Sequence, residues 1–407
     1  MRAWLRNFSL AAVIAVCFAC GGSGSTGGGT VVSPHAVVVA SGFDQPMLYL
    51  VDPADSTRAY VIERPGRVRL LVNDVLQSAN VLDITGTVVT DGECGFLGMA
   101  FDPNFATNRY VYFHFNAGSP IETRIVRYTM NAGGTSLSSS FPILSFQQPS
   151  TTNHKGGDIN FGTDGFLYVM TGDGGSGNDP DNNAQTPTTF LGKILRIDVT
   201  GDDFTTDLEQ NYSVPVNNPW VGDLSVKPEI WGFGMRNPFR WSVDAVTGGL
   251  LIADVGQGAY EEMNYEPAGQ GHRNYGWSLR EGAHDTGNPG PAFFTPLTEP
   301  FLEYDHSFGA TVIGGFIYRG SALDPSLHGH YFFADFISSK IVSAPFSLTT
   351  GGEAVTTSIS ASTNHTATIN STLGGNTVSR PVSITPDKNG EIMIMDLDRG
   401  TLLRLVP

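Results

Sequence analysis

Apolar residues along this chain fall into short runs that are separated by turns rich in Asp, Asn and Gly. From His35 onward an apolar strand, a short turn and a second apolar strand recur, on the order of every 60 residues. The six occurrences span residues 56–72, 97–115, 159–173, 241–256, 314–336 and 382–405. Long runs with a 3.6-residue period are scarce, so the pattern predicts little helix.

Repeated two-stranded units of this size are typical of the blades of a β-propeller. One blade cannot bury both of its faces, so neighbouring blades stack around a common axis. We therefore predict an all-β fold, a six-bladed β-propeller with long inter-blade loops, over residues 35–407. The segment 36–43 is predicted to supply the closing strand of the last blade. A β-sandwich and a β-helix are the alternative folds.

Composition agrees with many strands joined by tight turns, since the chain has 49 Gly, 24 Pro and only 15% charged residues. The net charge of −16 argues against nucleic acid as a partner and against docking on anionic lipid. An anionic ligand would need a local basic pocket within this acidic protein.

The first residues have the pattern of an export signal. Arg2 and Arg6 precede an apolar run, 10–19, that is too short to span a bilayer. Residues 1–20 are predicted to be a bacterial lipoprotein signal with Cys20 as the lipidated residue, placing the protein in the periplasm or on the cell surface. Plain secretion is the alternative. Residues 21–34 are predicted to form a flexible Gly/Ser linker.

Two loop clusters carry candidate chemistry, and in a propeller such loops surround the mouth of the central channel. His154 stands between a polar turn and a short strand, and Arg236 and Asn237 directly precede another strand. Downstream, Gly256 and Gln257 offer two backbone carbonyls beside a Gly-rich turn. The chain has no P-loop, dinucleotide fingerprint or nucleophile elbow.

Seven motifs, in order, resemble the soluble pyrroloquinoline quinone (PQQ)-dependent sugar dehydrogenases of the glucose/sorbosone dehydrogenase family, which are six-bladed propellers. They occupy residues 92–105, 153–175, 190–198, 229–244, 254–264, 274–277 and 314–324. The resemblance implies oxidation of an aldose sugar at its anomeric carbon, with hydride passed to the quinone.

That chemistry needs a base for the hydroxyl proton and positive charge near the quinone oxygen. The resemblance assigns the base to His154, and an imidazole is largely neutral near pH 7. It places Arg236 beside the quinone, and Asp173 near the sugar.

The resemblance also implies cofactor contacts at Glu93, Asn237, Arg319 and Arg380. Arg319 stands where the family has a lysine, and Arg380 matches one of a family arginine pair whose second position is Val378 here. Glu93 falls where the best-known members carry a glutamine. PQQ carries three carboxylates, so the loss of one cation at Val378 and the gain of one acid at Glu93 would both weaken its binding.

Calcium is the metal that the resemblance implies. The carbonyls of Gly256 and Gln257 match the ligands of the cofactor-bound Ca²⁺, a hard cation that prefers oxygen. Glu262 and the carbonyl of Tyr275 match a second, structural Ca²⁺ site.

Two further functions stay open. The first is a non-catalytic binding module on the same scaffold, because a fold does not dictate a function. Glu93 and Val378 favour this alternative, since both would weaken binding of the anionic cofactor. A Ca²⁺-dependent lactone hydrolase would need several carboxylate and Asn ligands on the axis. For the dehydrogenase the electron acceptor must be a separate molecule, because no Cys-x-x-Cys-His haem motif is present.

Overall fold

The computed structural model describes residues 32–407, which form six mainly antiparallel sheets arranged as a six-bladed β-propeller. The predicted fold class is confirmed. Residues 1–31, with Cys20, the predicted signal and most of the predicted linker, lie outside the described residues. No helix between residues 32 and 407 is long and apolar enough to cross a membrane.

Each blade is a sheet of four strands, with a fifth short strand in the third blade. The first blade contains β2 (Pro46–Val51), β3 (Arg58–Glu63), β4 (Arg67–Val72) and β5 (Val75–Asp83). The second contains β6 (Phe96–Phe101), β7 (Tyr110–Ala117), β8 (Glu122–Met130) and β9 (Leu137–Gln147). The third contains β10 (Ile159–Phe161), β11 (Leu167–Met170), β12 (Lys193–Ile197), β13 (Ile230–Phe233) and β17 (Arg273–Asn274).

The remaining blades follow the same plan. The fourth contains β14 (Pro238–Val243), β15 (Leu250–Asp254), β16 (Tyr260–Glu266) and β20 (Leu302–Asp305). The fifth contains β21 (Val312–Ile313), β22 (His330–Asp335), β23 (Lys340–Pro345) and β24 (Thr363–Asn364). The sixth contains β25 (Pro381–Pro386), β26 (Ile392–Asp396), β27 (Thr401–Val406) and β1 (His35–Ser41).

Elements outside the blades are short. A two-stranded hairpin, β18 (Arg280–Glu281) and β19 (His284–Asp285), lies in the long connection between β16 and β20. The α-helical segments are α1 (Phe105–Asn108) and α2 (Thr366–Ser371), and 3₁₀ turns occur at Asn183–Gln185, Pro325–Leu327 and Ile359–Ala361.

The ring is closed by pairing between the two ends of the described chain. β1 runs antiparallel to β27 with His35 opposite Val406 and Ser41 opposite Thr401. The N-terminal segment thus completes the last blade, as the sequence predicted. Because both ends of the described chain share one sheet, β27 is paired on both sides, with β26 and with β1.

Apolar residues fill the space between adjacent blades. One buried cluster joins the first, second and sixth blades through side chains such as Tyr60, Phe113 and Met395. Further clusters join the second blade to the third, the third to the fourth, and the fourth to the fifth. These faces are the apolar strand positions of the sequence repeat, and their burial is the main force that stacks the blades.

One arginine on β14 connects four blades at the centre of the ring. The guanidinium of Arg240 donates to the carbonyls of Met47, Leu97 and Val382 at 2.9, 3.0 and 3.2 Å. These carbonyls belong to β2, β6 and β25, so a single side chain ties the innermost strands of the first, second and sixth blades to the fourth. The side chain is 2% exposed.

We expect Arg240→Leu to lower the free energy of unfolding by about 3 kcal/mol or more, because it leaves buried carbonyls without a donor. Urea denaturation followed by tryptophan fluorescence measures the loss. Arg124→Leu is the control, since Arg124 pairs with Glu122 on the surface and such pairs contribute about 0–1 kcal/mol. Equal losses in the two variants would contradict the role of Arg240.

Asp158 lies beside Arg240 and gives the fold a pH dependence. Burial raises the pKa of Asp158 to about 6, and the charge of Arg240 acts in the opposite direction. A carboxyl whose pKa is higher in the fold than in the unfolded chain stabilises the fold at low pH, and this contribution is lost as pH rises through about 6. We expect Asp158→Asn to gain about 2.5 kcal/mol relative to wild type between pH 4 and pH 7, measured by urea denaturation. A difference that stays constant with pH would count against this.

Candidate functional site at the mouth of the channel

The loops that carry the candidate residues meet at one end of the ring because of strand direction. In each blade the first strand runs away from this end and the second strand returns to it. The residues that precede the first strand are therefore neighbours of the residues that follow the second strand. We call this end the mouth. His154, Asn237 and Arg380 all precede first strands and lie at the mouth.

Five blades hold their mouth loops by the same device. A buried acid or amide at the end of the second strand accepts hydrogen bonds from backbone N–H groups just before the first strand. The pairs are Glu63 with Asp44, Asn116 with Gly95, Asp254 with Arg236 and Asn237, Asp335 with Thr311, and Asp396 with Ser379 and Arg380. In the fourth blade Asp254 thereby fixes the backbone of Arg236 and Asn237 at 2.8 and 2.6 Å.

The third blade departs from this device, and the departure produces the centre of the site. Three residues beyond β11, the carboxylate of Asp173 turns to the imidazole of His154, with 2.7 Å between Oδ1 and Nδ1. The same carboxylate accepts from the Gly175 N–H and from the Trp277 indole N–H, both at 2.8 Å. Because a carboxylate oxygen accepts, Nδ1 is the nitrogen of His154 that carries the hydrogen in this contact.

The other imidazole nitrogen of His154 is left free. Nε2 makes no hydrogen bond to any residue in the range 32–407. Since Nδ1–H is directed at Asp173, Nε2 carries the lone pair and can accept a proton. The geometry is that of a general base whose orientation is set by a carboxylate.

The backbone of His154 is held in an unusual conformation. Its φ of 55° lies in the left-handed region, which costs a non-glycine residue on the order of 1 kcal/mol. Its N–H donates to Glu93 Oε2 at 2.8 Å, which helps to hold it there. Gly172 packs directly against it, and a Cβ at this position would lie 2.2 Å from the His154 carbonyl oxygen.

Glu93 and Asn237 connect this dyad to the fourth blade. Glu93 Oε2 also accepts from the Asn237 side-chain amide at 2.9 Å, and Asn237 Oδ1 accepts from the Gly156 N–H at 3.1 Å. Both polar atoms of the Asn237 side chain are therefore used to join three blades at the mouth. Glu93 acts here as an acceptor for two of the predicted site residues.

Arg236 joins the same cluster through Asp173 and Trp277. Its carbonyl accepts from the Asp173 N–H at 2.8 Å, and its guanidinium lies 5.3 Å from the centre of the Trp277 ring. One terminal nitrogen donates to the Val255 carbonyl at 2.7 Å, while Nε is buried without a partner among residues 32–407. An unsatisfied guanidinium N–H next to the dyad suits an anionic oxygen.

A small cavity beside Arg236 is lined by two buried acids. Its volume is about 10 Å³, room for one water-sized group, and Asp254, Gly256, Glu262 and Trp277 border it. Burial raises the pKa of Asp254 to about 7 and holds the pKa of Glu262 well above its usual range. Two neighbouring carboxyls of this kind are stabilised by a cation.

The other predicted calcium residues are held differently. The Gln257 N–H donates to Glu281 at 2.6 Å and its side-chain amide pairs with Asn178. Tyr275 is buried and its hydroxyl donates to Glu266 at 2.6 Å. No cluster of three or more His, Cys, Asp or Glu side chains suited to a metal occurs within residues 32–407. A cation here would rely on two carboxylates and backbone oxygens.

Arg319 does not join this cluster. Its guanidinium binds both carboxylate oxygens of Asp244, which follows β14, whereas Asn237 precedes that strand. At about 3.3 Å per residue the strand separates the two ends by about 20 Å. Arg319 follows the first strand of its blade instead of preceding it, so the structure removes it from the predicted cofactor site.

Trp277 is the residue of this cluster that the sequence did not single out for chemistry. Trp277 lies inside a matched motif, but its indole N–H donates to Asp173, which is 104 residues away in the chain. Only the fold reveals this contact.

The family model described as Glucose / Sorbosone dehydrogenase matches residues 43–403. The chain belongs to this family. It is 33% identical to the HIPL2 protein of Arabidopsis thaliana over 368 residues, covering 72% of this chain and 51% of that protein. The Hedgehog-interacting protein of Homo sapiens is 27% identical, with 73% of this chain and 42% of that protein covered.

Similarity to named dehydrogenases is also present. Quinoprotein glucose dehydrogenase B of Acinetobacter calcoaceticus is 28% identical, with 61% of this chain and 53% of that protein covered. The PQQ-bound aldose sugar dehydrogenase of Streptomyces coelicolor superposes with a TM-score of 0.68 at 20% identity, covering 93% of this chain and 99% of that one. The chain spans about half the length of the curated relatives it matches. The structural similarity shows a shared fold.

We expect Gly172→Ala to disturb the His154 loop, because the added methyl would meet the His154 carbonyl at 2.2 Å. The free energy of unfolding should fall by about 1–3 kcal/mol. Gly86→Ala is the control, since a Cβ there meets nothing within 4 Å. Urea denaturation compares the two, and a Gly172→Ala protein as stable as Gly86→Ala would show that the close approach is not a constraint.

Proposed function

We propose that this chain is an exported PQQ- and Ca²⁺-dependent dehydrogenase that oxidises aldose sugars at the anomeric carbon. The observation that carries the proposal is the free Nε2 of His154, oriented through Nδ1 by Asp173, in the same cluster as Arg236 and Asn237. Membership of a sugar dehydrogenase family supports it. Export and a lipid anchor on Cys20 stay part of the proposal.

The residues at the mouth suit the cofactor in two respects. Arg236 has a buried N–H that no residue between 32 and 407 accepts, which fits an anionic quinone oxygen, and Asn237 lies next to it in the chain. Arg380 borders a cavity of about 380 Å³ at the same end of the ring. Glu93 is the exception, because its carboxylate opposes an anionic ligand.

Within this proposal His154 Nε2 removes the proton of the anomeric hydroxyl group. Asp173 stabilises the imidazolium that forms, because its carboxylate already accepts the Nδ1–H. PQQ, if held by Arg236, Asn237 and Arg380, would supply the acceptor for the hydride that leaves the same carbon. Arg236 supplies positive charge at the mouth, where negative charge develops during the reaction.

Calcium is proposed to bind beside this cluster. Asp254 and Glu262 offer carboxylate oxygens at the small cavity that Gly256 also lines, and Ca²⁺ prefers such ligands. Gln257 and the Tyr275 carbonyl remain proposed ligands from the family resemblance. The sugar is proposed to enter near Asp173, and the electrons are proposed to leave to a separate acceptor.

Adding PQQ and Ca²⁺ to the protein should give dye reduction that depends on an aldose. His154→Ala should lower kcat by about 10² or more, because it removes the base. Asp173→Asn should lower kcat by a smaller factor, since the imidazolium loses its hydrogen-bonded partner. His328→Ala, which changes a histidine on the turn before β22, should leave kcat unchanged.

A second candidate is a binding module without catalysis. It is favoured by Glu93 in the site and by similarity to a protein named for its interaction with Hedgehog. Isothermal titration with PQQ in the presence of Ca²⁺ distinguishes the two. Tight binding supports the dehydrogenase, and the absence of any heat together with inactivity on a panel of aldoses would leave the binding module.

A further inference from the structure

A basic cavity lies at the mouth between the sixth and first blades. It has a volume of about 380 Å³ and is bordered by three arginines, Arg64, Arg380 and Arg399, and by Asp44 and Asp398. The chain has a net charge of −16, so three guanidinium groups around one cavity are a local reversal of charge. Such a cavity attracts an anion.

Two of the three arginines are paired with acids. Arg380 Nε lies 3.4 Å from Asp398 Oδ2, and Arg399 Nε lies 4.0 Å from Asp396 Oδ2. These contacts neutralise part of the charge that each would offer to a ligand. Arg380, which the sequence predicted as a cofactor contact, is therefore a weaker anion ligand than its position alone indicates.

Arg64 differs because it forms no ion pair with any acid in the described range 32–407. Its donors instead reach the carbonyls of Cys94, Thr90 and Gly92 and the Gln45 side-chain oxygen. A guanidinium has five N–H groups, so one on the nitrogen facing Gln45 stays unused. Arg64 thus keeps one donor without a partner among residues 32–407, and it feels the charges of Glu93 and Asp91 without forming an ion pair with either.

Arg64 is also connected to the candidate site. It holds the carbonyls of Gly92 and Cys94, which flank Glu93, and Glu93 Oε2 accepts from the N–H of His154 and the amide of Asn237. Arg64 thus supports the Glu93 segment from the first blade, while the side-chain amide of Asn237 reaches the Glu93 carboxylate from the fourth. A carboxylate bound by Arg64 would therefore lie near the same segment that contacts His154 and Asn237.

The position expected to supply a second cation on the sixth blade cannot do so. Val378 is 3% exposed and its side chain is apolar, so that side chain offers a ligand neither charge nor a hydrogen bond. The sixth blade therefore offers this cavity two arginines, Arg380 and Arg399, both of which are partly neutralised by acids. The neighbouring first blade places Arg64 on the same cavity.

We propose that Arg64 binds a carboxylate group of the anionic cofactor and replaces the cation that is absent at Val378. The inference rests on the proposed function and extends it to a residue of a blade that no family motif implicated. Arg64 also offsets the charge of Glu93, which otherwise opposes a trianion at the same place.

The test is a titration of the full chain with PQQ in the presence of Ca²⁺, followed by fluorescence quenching. Arg64→Gln should raise Kd at least tenfold, since it removes a charge-assisted contact. Gln45→Glu should raise Kd as well, because it places a carboxylate 3.0 Å from the Arg64 guanidinium while preserving that hydrogen bond. Both increases should shrink in 0.5 M NaCl.

Arg58→Gln is the matched control. Arg58 begins β3, whereas Arg64 directly follows the same strand, so the two lie at opposite ends of the blade. Arg58→Gln should leave Kd unchanged.

The outcomes separate the two claims. If the wild-type chain binds PQQ and both Arg64→Gln and Gln45→Glu keep its Kd, the role of Arg64 is refuted and the proposed function stands. If only Arg64→Gln weakens binding, with no dependence on salt, Arg64 merely supports the Glu93 loop and the inference is also refuted. If the wild-type chain binds no PQQ, the proposed function fails and the inference fails with it.

Discussion

The mouth of this propeller depends on one repeated interaction, the hydrogen bond from a backbone N–H before the first strand of a blade to an acid or amide at the end of the second. Five blades use it, and it converts flexible loop entries into fixed positions. The fourth blade uses it to hold Arg236 and Asn237. The third blade lacks it, and there the carboxylate of Asp173 is available to orient His154.

The ring supports this arrangement from below. Arg240 holds four blades together by donating to carbonyls of three inner strands. The pairing of β1 with β27 prevents the ring from opening at the sixth blade. The separation between His154, Asp173 and Arg236, which come from three different segments, is therefore set by the whole ring and not by any local sequence.

The ring of blades and the position of most site residues could be predicted from the sequence, because a periodic pattern of apolar strands indicates blades. The closing strand was predicted from apolar content alone, and its pairing with β27 confirms it. The cluster of His154, Asp173, Arg236 and Asn237 followed from the family resemblance, and each residue lies in a loop before the first or after the second strand of a blade. Strand direction then places all four at the same end.

Arg319 shows where such prediction fails. Its motif was recognised, but the first strand of that blade, Val312–Ile313, begins before the motif, so Arg319 follows it and reaches the other end of the ring. Trp277 and Arg64 could not be predicted for a different reason. Their roles depend on contacts with Asp173 and with the loop around Glu93, which are distant in the chain.

The central claim is that the imidazole at the mouth serves a redox reaction at the anomeric carbon of a sugar. Single-turnover stopped flow with PQQ-loaded protein tests it most directly, using glucose that carries hydrogen or deuterium at that carbon. The account predicts bleaching of the oxidised cofactor that is several-fold slower with the deuterated sugar. Loaded protein whose spectrum stays unchanged with any aldose, or changes at the same rate with both isotopes, would contradict it.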